Sequence, residues 1–321
     1  MQTQNYVILG SASYGYLAKK VAECGHWPLG SVFRDTFEGG DPYMQVNIDD
    51  VQGKDVVIVG GTITPAEFYD ILRLGHTVWN FGAESITFVI PYFGTQRQER
   101  VTKPGEHLPA KLDALLFSAL PRPPRGIRVF MVDLHLEQIT SYFENGVRAW
   151  PIQCKSLIAT AVSDLGKLYG GDYELLGCDQ GVLKWVQSIG DVLKKNAGCG
   201  LKRRIDGKSH MYGIMGEVDG RHIVAFDDIQ LTGGTAMKLM ELAKTKGALG
   251  GSLVVSHCVS PDDSFRKVAG SRLFDRVITT DSHPHALEIE KEFGSSIEVR
   301  SISPLIAERL VTPWWATDKH H

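Results

Sequence analysis

Cysteine is scarce and scattered: Cys24, Cys154, Cys178, Cys199 and Cys258 stand singly, with no CxxC pair and no framework spacing. That excludes the disulfide scaffold of a small secreted domain and argues for reduced thiols. Long hydrophobic runs are missing too. No stretch reaches the roughly 18 apolar residues of a membrane span, and the opening MQTQNYVILG lacks the basic segment and apolar core of a secretory leader. The expectation is a cytoplasmic protein that does not act on membranes. Charge of one sign is also absent: 34 Lys and Arg face 37 Asp and Glu, a net charge of -3, so no general attraction to nucleic acid is expected. Solenoid repeats and low-complexity tracts are lacking as well.

What is present suits a two-domain α/β protein. With 321 residues, 43% of them hydrophobic, the chain can bury two cores without covalent staples. Short apolar runs at 6–9, 56–59, 86–90, 129–132, 223–226, 253–256 and 276–279 predict strands, and helical spacing between several of them predicts parallel sheets covered on both faces. The clearest helix is 235–246, where Met237, Met240 and Ala243 share a face and Gly247 provides a stop. Pro151 breaks the pattern, so the domain boundary is placed near 150–154, giving domains 1–152 and 153–300. The proline-rich stretch 119–126 lies between a helical segment and a strand and is expected to be a surface loop of the first domain.

The strongest chemical signal is 223–235. An apolar strand runs into Asp227 and Asp228, passes through Thr232-Gly233-Gly234-Thr235, and opens a helix. Glycines let backbone N–H groups approach an anion, threonine hydroxyls add donors, and the helix N-terminus contributes a favourable partial charge. The carboxylates suit sugar hydroxyls or a divalent cation, so the combination points to a ribose phosphate. A plain strand-end acid pair with Thr235 as a helix cap is the bland alternative. Arg97, Gln98 and Arg100 offer bidentate and amide donors for a polyphosphate, or else form a solvated face. His135 follows an apolar strand, where open α/β sheets place ligands. Lys202, Arg203 and Arg204 precede the polar 206–209, a pattern expected of a mobile basic loop or an ordinary solvated surface.

These motifs resemble, in order along nearly the whole chain, those of the ribose-phosphate pyrophosphokinases. DDIQLTGGT (227–235) is similar to their phosphoribosyl-binding loop, VIPYFGTQRQER (89–100) to their ATP-binding stretch, and MVDLHLEQI (131–139) to their Asp-Leu-His motif. TFEGGD (36–41) resembles an element that reaches ATP across a subunit interface, with Asp41 where Glu is usual, and SISPLIAERL (301–310) matches the closing segment. The resemblance implies two phosphoribosyltransferase-like domains, each a mainly parallel sheet flanked by helices, with 301–321 free to pack back on the first. It implies transfer of the βγ-diphosphate of ATP to ribose 5-phosphate, with Mg²⁺ and at least a dimer. ATP would meet Phe37, Asp41, Arg97, Gln98, Arg100 and His135. The ribose phosphate would meet Asp179, Asp227, Asp228, Thr232, Gly233, Gly234 and Thr235. His135, Lys202 and Arg204 would be catalytic, and His135 and Asp179 would face the metal.

Two departures bear on substrate. Leu231 stands where common members have Asp, and 179–184 (DQGVLK) resembles a plant-type class that accepts nucleotide donors besides ATP. An uncharged turn would repel a second phosphate less, so a larger acceptor such as ADP-ribose is an alternative to ribose 5-phosphate. A phosphoribosyltransferase would share the 227–235 loop but have no use for Arg97, Arg100 or His135. A non-catalytic regulatory relative would be expected to lose some of His135, Lys202 and Arg204.

Overall fold

The computed structural model describes residues 5–205, 208–259 and 262–313. The chain divides into two compact units, one running to Ile152 and resuming at Ser303, the other Gln153–Ile302. The first unit contains β1 (Tyr6–Gly10), α1 (Gly15–Gly25), the hairpin strands β2 (Val32–Thr36) and β3 (Pro42–Val46), and α2 (Ile48–Val51). It continues with β4 (Asp55–Val59), α3 (Pro65–Asn80), β5 (Ser85–Ile90), α4 (Pro109–Ser118), β6 (Ile127–Val132) and β7 (Arg148–Ile152).

Strands β1, β4, β5, β6 and β7 lie side by side in that order and all run parallel. A parallel sheet is covered on both faces, and accordingly every residue of β4 and β5 is buried. Ile71, Leu74 and Val78 recur at helical spacing on α3 and share one core with Ile86, Phe88 and Ile90 of β5. The start of α3 is specified by a capping box: Thr64 Oγ1 accepts from the Glu67 N–H at 3.2 Å, and Glu67 Oε2 accepts from the Thr64 N–H at 3.1 Å. Pro151 does not break the pattern. It belongs to β7, an edge strand, where a missing N–H leaves no ladder partner unanswered.

The second unit contains α5 (Lys155–Leu168), β8 (Tyr173–Gly177), α6 (Leu183–Leu193), β9 (Ala197–Ile205), β10 (Lys208–Met215) and β11 (His222–Gln230). It ends with α7 (Gly234–Thr245), β12 (Gly250–Cys258), α8 (Asp262–Gly270), β13 (Arg276–Thr280), α9 (His285–Phe293) and β14 (Ile297–Arg300). Its sheet has the order β10-β9-β8-β11-β12-β13-β14, and only the β9–β10 pair is antiparallel. Strand β11 is therefore central, and its C-terminal end opens on the middle of the face where such sheets hold ligands. Helix α10 (Ser303–Val311) returns to the first unit, where the Tyr6 hydroxyl donates to the Leu310 carbonyl at 2.9 Å.

The basic segment differs from its expected form as a loop. Lys202, Arg203 and Arg204 lie on β9 in register with Met211, His210 and Ser209 of β10, because β9 starts buried beside β8 and carries its ladder outward into the charged run. Residues 206 and 207, at the turn, lie outside the described residues. No helix among the described residues is long and apolar enough to cross a membrane.

Candidate active site

In the second unit, β8 ends at Gly177 beside Phe226 in the middle of the parallel strand β11, and the Cys178 N–H donates to the Phe226 carbonyl at 2.7 Å. Asp179 follows directly. Its Oδ1 accepts from the Gly181 N–H at 2.7 Å and fixes the turn ahead of α6, while its Oδ2 meets the Lys202 ammonium. Asp227 and Asp228 lie in the second half of β11, which ends at Gln230, each accepting through Oδ1 from the next backbone N–H, at 3.1 and 2.8 Å. Burial pushes the Asp227 carboxyl well above the usual carboxylate range, and repulsion from Asp228 and Asp179 adds to it. Burial, helped by Asp227, likewise raises the Cys178 thiol, which makes it a poor nucleophile.

The turn after the acids is built for close approach. Gly233 sits at φ +65° as the residue before α7 and supplies no side-chain cap, while the Gly234 N–H donates to Thr232 Oγ1 at 3.4 Å. Thr232 is exposed, and Gly234 and Thr235 are half-buried. Beneath the turn, Gln230 is 2% exposed, and its Nε2 has no hydrogen-bond partner among the described residues.

In the first unit, the loop 91–100 follows β5 and packs backbone on backbone against the loop after β4. The Gly94 N–H donates to Thr62 Oγ1 at 2.8 Å, and a Cβ on Gly94 would stand 2.0 Å from the Thr62 carbonyl oxygen. Arg97, Gln98 and Arg100 are exposed, whereas Gln96 and Glu99 turn inward. After β6, Asp133 takes a positive φ of 37° and donates its N–H to the Ile152 carbonyl. His135 follows, exposed, with its backbone N–H donating to Gln96 Oε1 at 2.8 Å. Arg97, Gln98, Arg100 and His135 thus sit on two loops tied directly together.

Phe37 and Asp41 are at the tip of the β2–β3 hairpin. The Phe37 N–H donates to the Asp41 carbonyl at 2.9 Å, and the Phe37 ring, 58% exposed, lies edge-on to Tyr43. None of their described contacts is to Arg97, Gln98, Arg100 or His135.

Residues 6–120 match the family model for the N-terminal domain of ribose phosphate pyrophosphokinase. Over 311 residues the chain is 30% identical to the ribose-phosphate pyrophosphokinase of Campylobacter jejuni, covering 95% of this chain and 94% of that one. The chain belongs to the ribose-phosphate pyrophosphokinase family. The family member from Helicobacter hepaticus is 29% identical with the same coverage of both chains. Phosphoribosylpyrophosphate synthetase from Mycobacterium smegmatis has the same fold, with a TM-score of 0.82 at 21% identity over 96% of this chain and 98% of that one.

Sequence reasoning found the residues of both loops but missed what holds them. Gln96 and the Asp179–Lys202 pairing carry no motif. Within 96–100 three residues are exposed and two, Gln96 and Glu99, are buried, a pattern too short to separate from chance in the sequence.

Proposed function

We propose that the chain transfers the βγ-diphosphate of ATP to the C1 hydroxyl of ribose 5-phosphate, giving phosphoribosyl pyrophosphate and AMP. As a member of its family it is an enzyme, an ATP-dependent diphosphotransferase. The observation that carries the reading is the bond between Gln96 and the His135 backbone, which joins two exposed guanidinium groups, an amide and an imidazole into one patch suited to a polyphosphate. A phosphoribosyltransferase would share the acid pair and glycine turn of the second unit without needing that patch. Asp227 and Asp228 take the ribose hydroxyls, and Thr232, Gly233, Gly234 and Thr235 take the 5′-phosphate at the open helix N-terminus.

Mg²⁺ fits the donor set. It binds through one or two carboxylates plus waters and substrate phosphates, so the lack of a three-ligand cluster among the described residues accords with a metal brought in by ATP. Asp179, and His135 at the phosphates, would face it, and when bound it would neutralise charge on the transferred group. Lys202 and Arg204 stabilise the charge that develops in transfer. The Arg204 side chain lies outside the described residues.

Phe37 and Asp41, on an exposed hairpin tip, serve the ATP site of a neighbouring copy, so the active form is at least a dimer. Leu231 leaves the turn uncharged and half-buried, which favours ADP-ribose as a second acceptor, and the plant-type features of 179–184 extend the donor range beyond ATP. One assay covers these readings: AMP release from Mg-ATP and from other nucleotides, with ribose 5-phosphate and then ADP-ribose. AMP with ribose 5-phosphate supports the main reading, and inert ADP-ribose removes the enlarged acceptor. No AMP with any acceptor leaves the regulatory relative. A fully active monomer in sedimentation would remove the shared site.

A further inference from the structure

Within the nucleotide loop one side chain points the wrong way for a ligand-facing motif. Gln96 has 0% exposure while its neighbours Arg97 and Gln98 face solvent, and backbone bonds from Gln96 N–H to Phe93 O at 3.1 Å and from Gln98 N–H to Thr95 O at 2.9 Å lock that arrangement. Its Oε1 accepts the His135 N–H at 2.8 Å across 39 residues of chain. Because that partner is a donor, the amide orientation is settled: oxygen toward His135, nitrogen away from it. The Nε2 then lies shielded from solvent with no acceptor among the described residues.

A buried amide nitrogen with two unanswered N–H groups is costly and rare, and it points to a partner that arrives with the ligand. A purely structural residue of this length could be methionine, which would fill the same space without the penalty.

We propose that Gln96 is a positioning residue that couples nucleotide binding to His135, a role that rests on the nucleotide reading of this loop. Its carbonyl oxygen holds the His135 backbone in place. Its amide nitrogen donates to an anionic oxygen of the bound nucleotide, directly or through one ordered water. Binding then answers the orphaned donor and fixes the loop that presents the imidazole in a single step.

Two variants separate the halves of this role. Gln96→Met removes both contacts, so amide hydrogen exchange at His135 should speed up about tenfold and kcat should fall about tenfold. Gln96→Glu keeps the oxygen on His135 but replaces the donors with a charge. Exchange at His135 should stay near native while the KM for Mg-ATP rises about tenfold. Native kinetics in Gln96→Met, or unchanged exchange at His135, would overturn the positioning role. A native KM in Gln96→Glu overturns the donor half. The exchange measurement needs no turnover, so failure of the diphosphotransferase reading, seen as no AMP from the native chain, is distinct from failure here.

Discussion

Gly233→Ala probes the turn that follows the acid pair. The residue sits at φ +65°, where an L side chain costs about 1–2 kcal/mol. The new Cβ would also stand 2.2 Å from Val268 Cγ2 and 3.5 Å from Gln230 Nε2. Val268 is 1% exposed on α8, so it has little room to yield, and overpacking of this kind costs about 1–3 kcal/mol. Together the loss is roughly 2–5 kcal/mol if the turn keeps its form. That is a large share of the roughly 5–15 kcal/mol that holds a typical domain. If the turn instead relaxes, the phosphate binding proposed for it is weakened. Urea unfolding reads the first outcome, and a raised KM for ribose 5-phosphate with unchanged ATP binding reads the second. Adding Val268→Ala removes the clash and leaves the backbone cost, so the double variant should show a favourable coupling of about 1–3 kcal/mol. Native stability with native KM in Gly233→Ala, or no coupling in the double variant, would refute the cradle.

His135→Ala should lower kcat by about 100-fold, with unfolding free energy changed by less than about 0.5 kcal/mol because the side chain is exposed. An unchanged rate removes His135 from the site. Lys202→Ala should also lower kcat by about 100-fold while leaving ATP affinity nearly intact, since its resting partner is Asp179; equal losses in binding and turnover would make it a static binding residue. Burial, then the neighbouring His257 and His285, push the His283 imidazole down to about 3, so it stays neutral in the folded protein. Its folded value lies below the unfolded value, near 6.5. Its stabilising share is therefore complete above about pH 6.5 and is lost as pH falls toward 3, by about 1.4 kcal/mol per unit. His283→Gln should flatten that acid slope in urea midpoints, and an unaltered slope would refute the assignment.

Strands β1, β4, β5, β6, β11, β12 and β13 were legible because a parallel strand buried on two faces tends to be apolar throughout, whereas β7, β8 and β14, broken by Arg148, Pro151, Glu174, Glu298 and Arg300, were not. Val56, Val57, Ile58 and Val59, β-branched and uninterrupted, are an instance. The hairpin β9–β10 was not legible, because its outer residues Lys202, Arg203 and His210 carry the composition of a solvated loop and owe their strand form to a ladder begun at Cys199. Pro151 misled for a related reason. A proline signals a break in a central strand but is tolerated on an edge, and edge position depends on strand order, which local pattern does not contain. Asp227 through Thr235 were readable because one stretch supplies acids, turn and helix N-terminus together. Gln96 was not, since its partner His135 lies 39 residues away.

Asp179 and Lys202 show most clearly what linear reading lacks. Taken separately, the carboxylate suits a cation or a ribose hydroxyl, and the ammonium suits a developing negative charge. Paired, each constrains the other. Asp179 Oδ1 is committed to the Gly181 N–H, so Oδ2 is the atom a cation would approach, and Lys202 already occupies it. Lys202 cannot swing to a phosphoryl group without leaving a carboxylate unneutralised beside Asp227, whose own carboxyl is raised partly by Asp179. With side chains 35% and 22% exposed, the pair contributes no more than about 1 kcal/mol, little enough for ligand binding to break. A cation would be held by Asp179 Oδ2 only where Lys202 has let that oxygen go. The two sequence assignments therefore meet at one carboxylate oxygen and cannot be weighed independently.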